Sequence, residues 1–209
     1  MSMICMERKR LVYKQVYNIE CLKQILEASL PAKRYRHSVN VYETALDLCR
    51  AHGLPQEKTG VAALLHDCGR EVSSKESPAR ARELGIEADA IELAQPILLH
   101  AKLGVYNARH KYGIDDEEIF EGILYHTTGA AGMSKLAKVV YLADMIEPGR
   151  DFPGIEFLRK LCRKDLDEAM LVAYSNTIKY LLEEGLLVHP HCIEGYNELI
   201  ASGAKKRKK

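Results

Sequence analysis

The stretch PQEKTGVAALLHDCGR, residues 55–70, decides what kind of fold this chain can adopt. It opens with Pro55, which suits the first turn of a helix, and then becomes apolar nearly all round. A helix without a polar face lies inside the protein, so this segment predicts a central, buried helix. It ends in two adjacent polar residues, His66 and Asp67, and the cation Arg70 follows at once. Polar side chains at the end of a buried helix need partners, and the rest of the sequence offers candidates.

Helical periodicity continues on both sides of this segment. Apolar residues recur at helical spacing, with helix start and stop signals, in four further segments at residues 35–53, 115–126, 134–149 and 164–185. No segment alternates polar and apolar residues for long enough to predict a strand. The sequence therefore predicts an all-α fold that forms a single domain.

The bulk composition is that of an ordinary globular protein and argues against several classes. The chain has 209 residues, 47 % hydrophobic and 28 % charged, which suits one domain with a sizeable core. Its formal charge of +1 argues against a nucleic-acid-binding surface. No apolar stretch approaches the roughly 20 residues that span a bilayer, and the N-terminus does not read as a secretory signal. Six scattered cysteines indicate reduced thiols, so we expect a cytoplasmic protein without a membrane or nucleic-acid partner.

Several polar residues fall on the apolar faces of the predicted helices. His37 lies on the apolar stripe of its helix, His126 continues another stripe, and Asp144 and His100 each follow an apolar run. Taken singly, a buried histidine is more often a hydrogen-bonded core residue, and an aspartate near a helix end is more often a cap. Burying several such groups is costly unless a divalent cation compensates for them together. Imidazole and carboxylate ligands without a thiolate favour Fe, Mn, Co or Zn.

The order His37, adjacent His66 and Asp67, and distant Asp144 resembles the H…HD…D pattern of the HD-domain metal-dependent phosphohydrolases. Those proteins are all-helical, and these four side chains hold a divalent metal in them. The flanking stretches RYRHSVNV, ALLHDCGRE, YHTTG and YLADMIEPGRDFPGI are similar to those of the YqeK family, symmetrical diadenosine tetraphosphate hydrolases that bind iron. The likeness covers residues 30 to 200 approximately. It implies a single HD-domain helical bundle.

The resemblance also implies roles for individual residues. The predicted metal ligands are His37, His66, Asp67 and Asp144, holding one or two divalent ions, with iron first and Mn, Co or Mg as alternatives. A metal in such a site lowers the pKa of a bound water and polarises a phosphoryl oxygen. The predicted catalytic residues are Asp67, His100, His126 and Arg70. The predicted substrate-binding residues are Arg34, His37, Asp67, His100, His126, Thr127, Asp144, Arg150 and Tyr196.

Alternatives stay open for several of these residues. His100 and His126 can bind phosphate, protonate the leaving oxygen or hold a second metal. Arg34 lies one helical turn before His37 and so on the same face, where a guanidinium matches phosphate oxygens bidentately. Tyr196 suits a base or ribose, and equally the core. The turn after His126 offers hydroxyl and backbone donors to an anion, which by itself is weak evidence.

The sequence departs from the family pattern in a few places. Arg70 stands where relatives commonly have lysine, and Gly69 stands where they have a bulkier residue. Residues 186–199, LLVHPHCIEGYNEL, are similar to the family's last substrate-facing loop, with Cys192 in place of a hydroxyl residue. These differences concern the substrate contacts more than the metal site.

The predicted domain comprises residues 18–203. An unassigned N-terminal extension, residues 1–17, and a basic tail, residues 204–209, flank it. The expected partner is a small nucleotide, diadenosine tetraphosphate with ADP as product, and a homodimer is compatible with the sequence. Rival interpretations are a hydrolase for another nucleotide, a non-catalytic nucleotide or metal sensor, and a nucleic-acid binder that relies on the basic tail.

Overall fold

A computed structural model of the protein describes residues 17–204. Within that range it contains eleven α-helices, two 3₁₀ turns and no strand, so the predicted all-α class is confirmed. The helices are, in chain order, α1 (Ile19–Ser29), α2 (Ala32–His52), α3 (Gln56–Leu65), α4 (Ser77–Glu83), α5 (Ala90–Ala94), α6 (His100–His110), α7 (Glu117–Tyr125), α8 (Lys135–Ile146), α9 (Ile155–Cys162), α10 (Leu166–Glu183) and α11 (Pro190–Ala201). The 3₁₀ turns are Cys68–Glu71 and Pro96–Leu99.

Helix α3 is the centre of the bundle, as its apolar sequence predicts. Every residue from Thr59 to Leu65 is buried, and the helix packs against α2, α7 and α8. It is short, and its last turn carries the chain directly to His66 and Asp67. Because α3 is enclosed, both of these side chains lie deep in the protein instead of at its surface.

The neighbouring helices begin and end where their sequences indicate. The side chain of Asp116 caps α7 by accepting from backbone N–H groups of its first turn, and Ser134 caps α8 in the same way. Helix α2 ends at Gly53, which adopts the left-handed conformation with a φ of 61°. On α2 the predicted stripe of Val41, Ala45 and Leu48 is buried. These boundaries fix the positions of the polar residues near the helix ends.

One close approach depends on a residue without a side chain. The 3₁₀ turn Cys68–Glu71 lies against the start of α6, and a Cβ on Gly69 would lie 2.1 Å from the carbonyl oxygen of His100 and 2.5 Å from the nitrogen of Gly104. No side chain fits there unless the turn and α6 move apart. Gly69 is therefore required by the close packing of this turn against α6.

The expectation of a loop at residues 186–199 is wrong for most of that segment. Pro190–Ala201 forms α11, because Pro190 suits the first turn of a helix and His189 caps it through its side chain. Cys192 faces the core and is 2 % exposed. A buried thiol in a packed helix fills space in the core, so the absence of a hydroxyl at this position has a structural explanation.

The predictions for the two ends of the chain lie largely outside the described range. Residues 1–16 and 205–209 are not part of it, so the N-terminal extension and the basic tail stay predictions, as do the domain bounds 18–203. Across residues 17–204, none of the helices is long and apolar enough to cross a bilayer. In the same range the cysteines are free thiols, four of them buried.

Candidate metal centre

Five helices bring together six polar side chains that the sequence spreads over more than a hundred residues. The side chains come from α2, the ends of α3 and α7, the start of α6, and α8. They form overlapping groups of three, and within each group the possible ligand atoms lie within 4.8 Å of one another. We call these six residues the histidine cluster: His37, His66, Asp67, His100, His126 and Asp144.

Three rings of the cluster are oriented by their own local backbone. The Nδ1 atoms of His66, His100 and His126 each contact the carbonyl oxygen three residues earlier, at 2.7 Å for His66 and 2.6 Å for His126. Because a carbonyl oxygen only accepts, Nδ1 carries the proton and donates, and Nε2 of the neutral ring keeps its lone pair. Carbonyl groups near the end of a helix lack an intrahelical partner, which explains why histidines at these positions bind them.

The Nε2 atoms face one another in pairs. The Nε2 of His37 lies 3.3 Å from that of His66, and the Nε2 of His100 lies 2.9 Å from that of His126. For His100 and His126 two lone pairs at this distance repel each other, so these neutral rings do not hydrogen-bond to one another. A cation beside them removes the repulsion, which makes this arrangement suitable for metal binding.

Asp67 lies between the two pairs of histidines. Its Oδ2 is 3.8 Å from Nε2 of His37 and 3.6 Å from Nε2 of His66. Its Oδ1 is 3.3 Å from Nε2 of His100 and 3.7 Å from Nε2 of His126. One carboxylate oxygen of Asp67 thus faces each pair of histidines.

Asp144 completes the side of the cluster formed by His37 and His66. Its Oδ1 lies 3.0 Å from Nε2 of His37 and 3.9 Å from Nε2 of His66. The guanidinium of Arg150 contacts the same Oδ1 and donates from Nε to the backbone carbonyl of Asp144 at 2.9 Å. Arg150, predicted as a substrate contact, is therefore held next to the cluster by the end of α8.

The other two predicted cations bind Asp67. Arg34 donates from Nη1 to Oδ2 at 2.7 Å, and Arg70 donates from Nε to Oδ1 at 2.6 Å. Their side chains are 38 % and 22 % exposed, so each also presents part of its guanidinium to solvent. Together with His100 and three serines they line a cavity of about 230 Å³ next to the cluster. This cavity places positive charge and hydroxyl groups where a phosphate chain can approach.

The surroundings shift the pKa values of the cluster in opposite directions. Burial lowers the pKa of His66 to about 4 and holds the pKa of His100 well below its usual value. Burial favours the neutral acid at Asp67, but the nearby histidines and Arg70 hold the pKa of this carboxyl well below its usual range. Burial lowers the pKa of His37, but the hydrogen bond with Asp144 and the charge of that carboxylate raise it above its usual value. At neutral pH the neutral imidazoles of His66 and His100 therefore lie beside the ionised carboxylate of Asp67. This is the protonation state in which these groups bind a metal.

Glu147 contacts the cluster although the sequence pattern does not predict it as a site residue. Its carboxylate is 4 % exposed and accepts three hydrogen bonds, from Nδ1 of His37 at 3.1 Å, from Nδ2 of Asn40 at 2.9 Å and from the backbone N–H of Gly149 at 2.6 Å. Although burial opposes it, these donors hold the pKa of Glu147 below its usual value. An acidic residue three positions after Asp144, directly after the last residue of α8, was the available signal. Only the fold brings it to His37.

The turn that follows α7 adds one hydroxyl to the cluster. The Oγ1 of Thr127 lies 2.9 Å from Nε2 of His126 and 3.2 Å from Nε2 of His100. The other predicted donors of this turn are already used, since Thr128 donates to a backbone carbonyl of the turn and the N–H of Gly129 donates to Tyr125 at 2.8 Å. Thr127 is thus the member of this turn that faces the cluster.

Tyr196 is the predicted site residue that the structure leaves apart from the others. It lies on α11, partly buried against the hydrophobic core, and within residues 17–204 no hydrogen bond joins it to the cluster. Its role at the site stays a prediction.

A larger cavity of about 670 Å³, between α6 and α7, is lined by none of the predicted site residues. We place the functional site at the cluster because the buried titratable groups converge there.

A second group of possible ligands, Asp89, Glu92 and His189, is fully used by the fold. Asp89 caps α5 through one oxygen and accepts from Nε2 of His189 at 3.0 Å through the other. Glu92 completes the capping box and binds Lys102 at 2.6 Å. Nδ1 of His189 accepts from the backbone of His191. These residues join α5 to the start of α11 and leave no donor set for a metal.

Comparison with known proteins supports the assignment of this cluster. The family model "HD domain" matches residues 34–149, a range that contains all six cluster residues. The chain is 37 % identical over 177 residues to the symmetrical bis(5'-nucleosyl)-tetraphosphatase of Halalkalibacterium halodurans, covering 85 % of this chain and 94 % of that protein. It is 35 % identical over 183 residues to the protein of the same name from Bacillus subtilis, covering 88 % and 96 % of the two chains.

A solved structure shows the same fold. The crystal structure of a predicted HD superfamily hydrolase involved in NAD metabolism, from Clostridium acetobutylicum, matches with a TM-score of 0.84 at 36 % identity. The match covers 90 % of this chain and 100 % of that one. The order and convergence of the six cluster residues agree with both kinds of comparison, and the chain belongs to the HD-domain family, in the group of relatives named symmetrical bis(5'-nucleosyl)-tetraphosphatase.

Proposed function

We propose that this protein is a divalent-metal-dependent hydrolase that cleaves diadenosine tetraphosphate into two ADP. The observation that carries the proposal is the convergence of four histidine Nε2 atoms on the carboxylates of Asp67 and Asp144 in one largely buried cluster. The names of the two relatives support this substrate, because the alignments with them cover nearly their whole length. The cations next to the cluster suit a substrate with four linked phosphates.

Four cluster residues are the proposed ligands of one ion: His37, His66, Asp67 and Asp144. We propose His100 and His126, with the second oxygen of Asp67, as ligands of a second ion. When bound, such ions polarise a phosphoryl oxygen and activate water for hydrolysis. Imidazole and carboxylate donors suit iron, which is our first choice, and also Mn²⁺ and Co²⁺.

The protein's own residues bind and orient the substrate. Arg34 and Arg70 flank the cavity next to Asp67, where their exposed N–H groups can bind the phosphates of one half of the substrate. Arg150, which contacts Asp144, can bind phosphates of the same half. Thr127 is placed to donate a hydrogen bond at His100 and His126. Residues that hold one ADP half in this way favour attack at the end of that half, which gives two ADP.

The free thiols of the described part of the chain support a cytoplasmic protein, because a reducing compartment keeps cysteines in this state. Residues 18–203 are the proposed catalytic domain. The basic tail and the segment before residue 18 are given no part in the reaction. The sequence is compatible with a homodimer and does not fix the oligomeric state.

Chromatography of the products tests the proposal. The purified chain is incubated with diadenosine tetraphosphate and Mn²⁺, Co²⁺ or Fe²⁺, and the nucleotides are separated at early times. We expect ADP as the sole nucleotide product, with ADP acting as a product inhibitor. ATP and AMP in equal amounts would refute symmetrical cleavage and indicate a different specificity on the same metal site. Turnover that survives in Asp67→Asn would refute the role of the cluster.

A further inference from the structure

We propose that Glu147 is a positioning residue that fixes the orientation and tautomer of His37, and that only a carboxylate can serve at this position. The inference rests on the proposed metal site and adds to it a residue that touches neither substrate nor metal. His37 differs from the other three histidines of the cluster, because its Nδ1 finds no backbone carbonyl and binds a side chain instead. The role of Glu147 follows from this difference.

The hydrogen bonds of Glu147 define which atoms donate. The Nδ1 of His37 lies 3.1 Å from Oε1 of Glu147, and an ionised carboxylate only accepts, so Nδ1 carries the proton. Nε2 of His37, which lies 3.3 Å from Nε2 of His66 and 3.0 Å from Oδ1 of Asp144, is then the ring nitrogen that would bind a metal. A carboxylate behind a metal-binding imidazole fixes the ring in this way and raises its basicity.

The other oxygen of Glu147 explains why a carboxylate is required. Oε2 accepts from the backbone N–H of Gly149 at 2.6 Å and from the amide of Asn40 at 2.9 Å. Glu147 therefore faces donors on both of its oxygens. A glutamine has one oxygen and one NH₂ group, so it cannot accept on both sides.

Each orientation of a glutamine at this position has a defined cost. If its NH₂ faces Gly149, two donors meet at a distance of 2.6 Å in a buried place. If its NH₂ faces His37, Nδ1 must accept, and the proton moves to Nε2, which then has no lone pair for a metal. The substitution Glu147→Gln thus acts on the metal through the tautomer of His37.

The backbone around Glu147 is held in place from a third side. The guanidinium of Arg159 donates to the carbonyl oxygens of Ile146, Glu147 and Arg150 at 2.9, 3.0 and 3.1 Å. These bonds satisfy carbonyl groups at the end of α8 and fix the turn that carries the Gly149 N–H. The carboxylate is therefore presented to His37 from a rigid position.

Titration with Co²⁺ tests the inference, because the visible absorption of this ion reports both its affinity and its coordination. The full chain is stripped of metal with a chelator and titrated at neutral pH, as wild type, Glu147→Gln, Asn40→Ala and Glu92→Gln. Glu92→Gln is the matched control. Glu92 is similarly buried and also accepts from a backbone N–H, but it belongs to the second group of possible ligands, with Asp89 and His189, and not to the histidine cluster. Thermal unfolding of each metal-free chain is recorded alongside.

We expect Glu147→Gln to weaken Co²⁺ binding about 10- to 100-fold and to change the absorption spectrum. Glu92→Gln should lower thermal stability without changing either property. Asn40→Ala removes one donor to Glu147 and leaves both Glu147 and His37, so it should weaken Co²⁺ binding several-fold. If Glu147→Gln does not fold, Asn40→Ala serves as the test of the role of Glu147. Wild-type affinity and spectrum in the folded Glu147→Gln chain, or in Asn40→Ala when it alone folds, would overturn the inference. Absence of Co²⁺ binding by the wild type would refute the proposed metal site as well.

Discussion

Gly69 is the position where the smallest change should disturb both the fold and the site. In Gly69→Ala the new Cβ would lie 2.1 Å from the carbonyl oxygen of His100, whereas ordinary contacts begin at 3.4 Å. The neighbouring atom is backbone, so no side-chain rotation relieves the overlap. The 3₁₀ turn and α6 must separate by roughly 1 Å or more. Overpacking of this kind costs about 1–3 kcal/mol of unfolding free energy.

The separation also changes the site. The 3₁₀ turn follows Asp67 and carries Arg70, and α6 begins with His100. The contacts of Asp67 Oδ1 with His100, at 3.3 Å, and with Arg70, at 2.6 Å, join the two sides that must move apart. Because a displacement of about 1 Å can lower a rate on the order of 100-fold, we expect kcat/KM for diadenosine tetraphosphate to fall by about that factor.

The assay measures urea unfolding and turnover with saturating Mn²⁺ on the same preparations. Gly53→Ala is the control, since Gly53 has a positive φ of 61° and nothing within 4 Å of a Cβ. It should cost about 1 kcal/mol through backbone strain and leave kcat/KM unchanged, because it moves nothing near the site. The reasoning is refuted if Gly69→Ala folds with the stability and kcat/KM of the wild type, or if Gly53→Ala loses as much activity.

Three further predictions follow from the cluster. His66→Ala should abolish activity and lower metal content, and elemental analysis that finds full metal retention would remove His66 from the proposed ligands. Arg34→Ala should raise the Kd for ADP while metal content stays at the wild-type value, because a guanidinium has no lone pair for a metal. Equilibrium dialysis measures both quantities, and a loss of metal with unchanged ADP affinity would contradict this prediction. Folding lowers the pKa of His66 from its ordinary value of 6.5 to about 4 through burial, so between these values the unfolded chain binds more protons. The contribution of His66 to stability in the presence of chelator should therefore be complete above about pH 6.5 and should fall towards pH 4, by up to about 3 kcal/mol. The raised pKa of His37 acts with the opposite sign, so the measurement is the difference in urea unfolding between the wild type and His66→Gln across this range.

Much of the fold could be predicted because its causes are local. The apolar run of α3, the cap Ser134 and the stop at Gly53 act within one helix, and the structure confirms them. The six residues of the histidine cluster could also be predicted as candidates, because a polar residue on an apolar stripe is visible in the sequence. The prediction of a loop at residues 186–199 was wrong over α11, because this helix depends on the burial of Cys192 and on capping by His189.

What the tertiary structure decided is how the cluster is arranged. The sequence indicates that His37, His66 and Asp144 belong together, but the pairing of Nε2 atoms and the central place of Asp67 arise only when five helices converge. The partner of Glu147 lies 110 positions away from it in the chain, and no periodicity encodes such a contact. Periodicity determines which face of a helix is buried, because this depends on residues a turn apart. Packing determines which buried faces meet, because this depends on the shape of the whole core.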